Sequence, residues 1–140
     1  MGIIFLDWDG VMKVADNEPV RPEAIKNFNY IIEFTGAKVV IASMRRFLGV
    51  DYFKKKFKES GIKGEIIDEL SILPIETRGQ KVADFLNVRR YRNASFVIID
   101  DHSRYTESQK VHKLVKVDSR IGLTQANADR AIAILNDWKT

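Results

Sequence analysis

The chain has 140 residues, 45% hydrophobic and 30% charged, proportions ordinary for a soluble globular domain with a real core. It has no cysteine, which excludes disulfides and a thiolate zinc site and fits a reducing, cytoplasmic setting. Net charge is +4 with a pI near 9.3, a modest excess compatible with polyanionic partners, while no apolar run approaches a membrane span and the opening segment is charged too early for a signal peptide.

The first predicted element is the apolar run Ile3-Ile4-Phe5-Leu6, which reads as a buried strand of a parallel sheet. It runs straight into Asp7 and Asp9, with Gly10 after them. Carboxylates at the end of a buried strand cost folding energy unless they bind something, so a cation, a phosphate or both are implied. Val11 to Val20, with Asp16-Asn17-Glu18-Pro19 in it, reads as a small hairpin or flap over the strand end. Pro22 opens a helix, Ala24, Ile25, Phe28, Ile31 and Ile32 keep its period, and Gly36 ends it.

Lys38 to Ala42 is the second strand, followed at once by Ser43, Met44, Arg45 and Arg46. A helix is predicted over Val50 to Glu59, a third strand over Gly64 to Ile67, and a loop with Pro74 over Ser71 to Thr77. Thr77 can cap a helix from Arg78 to Asn87 whose buried face is Val82, Ala83, Phe85 and Leu86. Ala94 to Ile99 is the fourth strand, ending in Asp100-Asp101, and Leu114 to Val117 the fifth, with loop between them. Thr124 to Trp138 closes the chain as a helix. With no repeat, low-complexity tract or linker, one domain over residues 1–140 is expected. Alternating strands and helices argue an α/β, doubly wound parallel sheet covered on both faces. If the first and fourth strands are neighbours where strand order reverses, four carboxylates converge on one crevice.

The chemistry of that edge is specific. Strand-edge carboxylates Asp7, Asp9, Asp100 and Asp101 suit Mg²⁺, a hard ion that binds through few carboxylates plus substrate phosphate. Ser43, Arg45, Arg46, Arg78 and Lys81 could hold phosphate oxygens, and Gly10 is counted with the substrate-binding residues. Asp7 is placed to attack phosphorus and form an aspartyl-phosphate, and Asp9 to protonate the leaving oxygen and then activate water. Positioning and charge neutralisation supply most of the catalysis in phosphoryl transfer.

These residues resemble the haloacid dehalogenase (HAD) superfamily of phosphohydrolases. Its four motifs occur in order: Asp7-Trp8-Asp9-Gly10 after an apolar strand, Val39-Val40-Ile41-Ala42-Ser43, a basic residue near a helix start, and Phe96-Val97-Ile98-Ile99-Asp100-Asp101. The resemblance implies a three-layer Rossmann-like core with sheet order 3-2-1-4-5, Asp7 as nucleophile and Asp9 as general acid/base. It also implies Mg²⁺ held by Asp7, the backbone carbonyl of Asp9 and one of the final pair. Asp101 is favoured as that ligand with Asp100 bracing Lys81, though the two aspartates could exchange roles, and the third-motif cation is Lys81 or Arg78. The intervals between motifs leave no room for a cap domain. Ser43-x-Arg45 also resembles the phosphatase domain of phage polynucleotide kinase. Arg78-Gly79 with Ile99-Asp100-Asp101 looks like the small HAD domains of RNA-repair proteins, although Met44 replaces a frequent Trp.

The expectation is therefore a Mg²⁺-dependent phosphatase whose substrate is a phosphate monoester, on a nucleotide or nucleic-acid end rather than a sugar. The rivals are a small-metabolite phosphatase and a non-catalytic phosphate- or protein-binding module. Intact Asp7 and Asp9 argue against the module, and a dehalogenase would lack the second aspartate. Trp8 reads as a packing or flap residue, His102 as a loop residue, and Lys54-Lys55-Lys56 with Lys58 as a solvated helix face.

Overall fold

In a computed structural model that describes residues 1–13, 18–43, 48–71 and 77–137, strands and helices alternate along the chain. The elements are β1 (Gly2–Leu6), α1 (Pro22–Thr35), β2 (Lys38–Ile41), α2 (Val50–Ser60), β3 (Glu65–Glu69), α3 (Arg78–Leu86), β4 (Ser95–Asp100), α4 (Glu107–His112), β5 (Leu114–Lys116) and α5 (Gln125–Asp137). All strand pairs are parallel and the order is β3-β2-β1-β4-β5.

Side-chain alternation along the strands separates two cores. On β1, Ile4 and Leu6 face a cluster completed by Phe28 and Ile31 of α1, Phe53 and Phe57 of α2, and Ala128, Ala131 and Leu135 of α5. Ile3 and Phe5 face the other cluster, with Val82 of α3, Tyr91 and Tyr105. The chain steps outward from β1 to β3 with its helices on one face, then returns to β4 and β5 with helices on the other. Right-handed crossovers require that change of face when the direction of winding reverses. The reversal lies between β1 and β4, so a crevice opens above their C-terminal ends. Among the described residues no cap domain is inserted over it, and no helix is long and apolar enough to cross a membrane.

Local signals placed most elements. Pro22 starts α1 and Gly36 ends it in the left-handed conformation, its N–H bonded to the Ile32 carbonyl. Thr77 caps α3 by accepting from the Gln80 N–H. Trp8 is buried in the core, at 5.6 Å from the Phe53 ring and 6.1 Å from Phe57. Lys54, Lys55 and Lys58 are exposed, as a solvated helix face should be.

Three expectations are corrected. β3 continues through Asp68 and Glu69, because an edge strand pairs on one side only and can carry charge. The stretch between β4 and β5 contains α4, opened by a reciprocal capping box between Thr106 and Gln109. The buried residues of α3 are Gly79, Lys81 and Val82, with Phe85 and Leu86 half-buried and Ala83 exposed. That helix turns its N-terminal end, rather than a uniform apolar stripe, into the protein. The expected flap begins as a turn in which the Val11 and Met12 N–H groups bond the Trp8 carbonyl. Residues 14–17 of that flap, Arg45 and Arg46, Pro74 and Trp138 lie outside the described residues.

Candidate active site

Asp7 and Asp100 are brought together by the sheet itself. The Asp7 N–H bonds the Ile99 carbonyl at 2.9 Å, so the β1–β4 pairing continues one residue past the end of β1. Asp7 is 4% exposed and Asp100 is fully buried. Asp101 joins them, half-buried, and the three aspartates each offer an oxygen within 4.8 Å of the others. Asp9 sits on the turn beyond β1, with Lys13 Nζ 3.8 Å from its Oδ1.

Gly10 fits this corner for two reasons. Its φ is +84°, which side-chain-bearing residues rarely adopt. A Cβ there would also lie 2.4 Å from Asp101 Oδ2. The backbone therefore passes against the Asp101 carboxylate only because residue 10 has no side chain.

Arg78 supplies the cation. It is the first residue of α3, a poor place for positive charge because the helix dipole is positive there. Two carboxylates offset that cost. Its Nη1 donates to Asp100 Oδ2 and lies 3.9 Å from Asp7 Oδ1. Asp100 Oδ2 also accepts from the Tyr105 hydroxyl, and its Oδ1 accepts from the His102 N–H at 2.9 Å.

These contacts split the two aspartates electrically. Burial, reinforced by the Asp100 charge, pushes the Asp7 carboxyl up to about 10. Burial acts the same way on Asp100, but Arg78 and the Tyr105 hydroxyl outweigh it and hold that carboxyl below its ordinary value. Burial alone would lower Arg78, yet Asp100, Tyr105 and Asp7 raise it. Tyr105 is raised by burial and then by Asp100. Burial and neighbouring charge thus favour the protonated form of Asp7, whereas Arg78 and Tyr105 favour the ionised form of Asp100.

A cleft of about 320 Å³ opens over these groups, lined by Asp7, Asp9, Gly10, Ser43, Arg78 and Asp101, with His102 and Ser119 at its side. Ser43 follows β2 and is 1% exposed. Of the cations expected from sequence, Arg78 lines the cleft. Lys81 is buried one turn further along α3 and is not among the lining residues. The cation on Asp100 is accordingly Arg78, where the sequence favoured Lys81. Tyr105 and Ser119 were missed. Neither stands in a motif, and Tyr105 reaches the site only through the unforeseen α4.

The donor set fits a hard divalent ion. Asp101 Oδ1 is buried with no hydrogen-bond partner among the described residues, and Asp7 is raised by burial and then by the Asp100 charge. Asp7, Asp100 and Asp101 could together hold such an ion.

The strand order, the open C-terminal crevice and the aspartates at the ends of β1 and β4 define a HAD-type Rossmann-like core. Within that class, a family described as the HAD domain in Swiss Army Knife RNA repair proteins matches residues 3–128, and the chain belongs to it. No curated protein and no solved structure matches. Membership supports phosphatase-type hydrolase chemistry at the level of the superfamily, whose domains generally use Mg²⁺.

Proposed function

We propose that this chain hydrolyses phosphate monoesters with Mg²⁺, through an aspartyl-phosphate on Asp7. The observation that carries the reading is Asp7 itself: a nearly buried carboxylate at the floor of an open cleft, with Arg78 at 3.9 Å. Asp7 and Asp101, with the Asp9 backbone carbonyl, would hold the cation. Asp100 is occupied by Arg78, Tyr105 and the His102 N–H, and has little capacity left for a metal.

When bound, the cation neutralises phosphate charge and leaves Asp7 ionised for attack. Asp7 then bonds to phosphorus as the ester oxygen departs. Asp9, on the turn beyond β1 and less buried than Asp7, gives its proton to that oxygen. Once ionised, Asp9 takes a proton from the water that cleaves the acyl phosphate and regenerates Asp7. Arg78 and Ser43 steady the phosphoryl oxygens.

The open cleft suits a phosphate at the end of a large molecule, and a nucleotide or nucleic-acid end is the proposed substrate. Three things support this: the absence of a cap among the described residues, the basic composition, and the family's association with RNA repair proteins. Arg45 and Arg46 are proposed as further phosphate contacts. The test is turnover of p-nitrophenyl phosphate, abolished by EDTA and restored by Mg²⁺, alongside a 3′-phosphorylated oligonucleotide and a sugar phosphate. The oligonucleotide should give the highest kcat/KM and lose it with rising salt. EDTA-resistant turnover would overturn the metal scheme, and a preference for sugar phosphate would overturn the substrate.

A further inference from the structure

We infer that Tyr105 is a positioning residue, whose hydroxyl locks Asp100 onto Arg78 and so reserves Asp101 and Asp7 for the cation. The inference rests on the phosphatase reading for its effect on turnover, but not for its geometry.

Three elements meet at one atom. Arg78 opens α3, Tyr105 precedes the capped start of α4, and Asp100 ends β4. Arg78 and Tyr105 both donate to Asp100 Oδ2. The other oxygen, Oδ1, takes the His102 N–H. A carboxylate with three donors, two of them on one oxygen, is an anion already satisfied. Its chain neighbour is the reverse, since Asp101 Oδ1 is buried and lacks a hydrogen-bond partner among the described residues.

The packing that brings Tyr105 there is specific. Gln109 Nε2 donates to the Gly79 carbonyl at 3.0 Å, while Gln109 Oε1 accepts from the Thr106 N–H at 3.0 Å. A Cβ at Gly79 would lie 2.6 Å from Gln109 Oε1, 3.0 Å from the Thr106 nitrogen and 3.1 Å from the Tyr105 Cα. The first turn of α3 and the start of α4 therefore touch backbone to backbone, which only glycine at 79 permits. That contact sets the distance between Arg78 and Tyr105.

Tyr105 is 7% exposed and belongs to the core cluster that holds Phe5 and Val82, and a phenylalanine would fill the same space. Packing thus accounts for the ring and leaves the hydroxyl to be explained by Asp100. Without it, Oδ2 would be held by Arg78 alone. The guanidinium could then swing, and Asp100 would become available to compete with Asp101.

The test compares Tyr105→Phe with the wild type by three measurements. Turnover of p-nitrophenyl phosphate at saturating Mg²⁺ should fall by about tenfold, the low end of what outer partners of a metal site contribute, with KM little changed. Mg²⁺ affinity, by calorimetry, should stay within about threefold, because Asp7 and Asp101 are untouched. The guanidinium protons of Arg78, assigned in ¹⁵N NMR with an Arg78→Lys control, should lose their protection from solvent exchange. Unchanged Arg78 protection would overturn the inference. So would a fall in Mg²⁺ affinity parallel to the fall in kcat, which would mark a general loosening of the site. If the wild type itself releases no phosphate, the phosphatase reading fails, and the NMR comparison still decides the role of Tyr105.

Discussion

Asp7 follows β1 and Asp100 ends β4, the neighbouring strand, and both are buried, yet their surroundings are opposite. Asp100 receives Arg78, Tyr105 and a backbone N–H, and the Arg78 charge and the Tyr105 hydroxyl hold it below its ordinary value against burial. Asp7 has Arg78 no nearer than an ion-pair distance of 3.9 Å and is pushed up to about 10 by burial and by Asp100. One carboxylate is a satisfied anion that organises its surroundings. The other is pushed toward its protonated form by burial and neighbouring charge, a setting that suits the nucleophile of the proposed phosphatase. Position on a strand thus decides where a carboxylate sits, and its donors decide what it does.

Substitution should separate the two most sharply. Asp7→Asn should lower turnover by at least about 10³-fold, because no other group can take the phosphoryl bond. The same change should raise the unfolding temperature of the metal-free protein, since it removes an ionisable group from a crowded anionic corner; a gain of about 1–2 kcal/mol is expected from chemical denaturation. Asp100→Ala should act in the other direction. It strands the Arg78 guanidinium in a buried place, and a loss of about 3 kcal/mol is expected in the same assay. Equal signs for the two variants would break the comparison.

Metal binding sharpens it further. Asp101→Ala should weaken Mg²⁺ by about 10–100-fold in calorimetry, the effect of losing one oxygen ligand or its close support. The dependence on pH separates the two aspartates as well. Asp7 has a folded value of about 10, above the ordinary 3.8, so the stability it lends is full below pH 4 and drains as pH rises toward 10. Asp100 is lowered, so its contribution is present above the ordinary 3.8 and lost as pH falls through its folded value. The metal-free protein should therefore be most stable near pH 4 to 5 as far as these two groups decide, and Mg²⁺ should restore stability increasingly as pH rises. Denaturation midpoints with EDTA and with Mg²⁺ across that range check the sign.

Much of this was legible in the residues. The apolar runs before Asp7 and Asp100 announced buried parallel strands, and Pro22, Gly36 and Thr77 marked helix ends by their own chemistry. Asp7, Asp9, Gly10, Ser43, Arg78 and Asp101 all line one cleft, because each follows a strand or opens a helix at the same sheet edge. What escaped was less periodic. Asp68 and Glu69 masked the end of β3, and the six-residue α4 has too few turns to show a period. Its Thr106-x-x-Gln109 capping box was the one signal that could have revealed it. Tyr105 was beyond reach without α4, because its contact with Asp100 depends on how Gly79 seats one helix against the other. The choice between Arg78 and Lys81 needed the helix phase, which the apolar residues of α3 misplace.

The central claim is that Asp7, and not Asp100, carries the phosphoryl group. Asp9→Asn should still accept phosphate from p-nitrophenyl phosphate but release it slowly, since water activation drops by about 10²–10⁴-fold. Rapid quenching of that variant with substrate and Mg²⁺, followed by peptide mass spectrometry, reads the answer directly. The account predicts an acid-stable, base-labile phosphoryl group on the peptide that contains Asp7. A phosphoryl group on any other residue, or phosphate release with no covalent species and no burst, would contradict it.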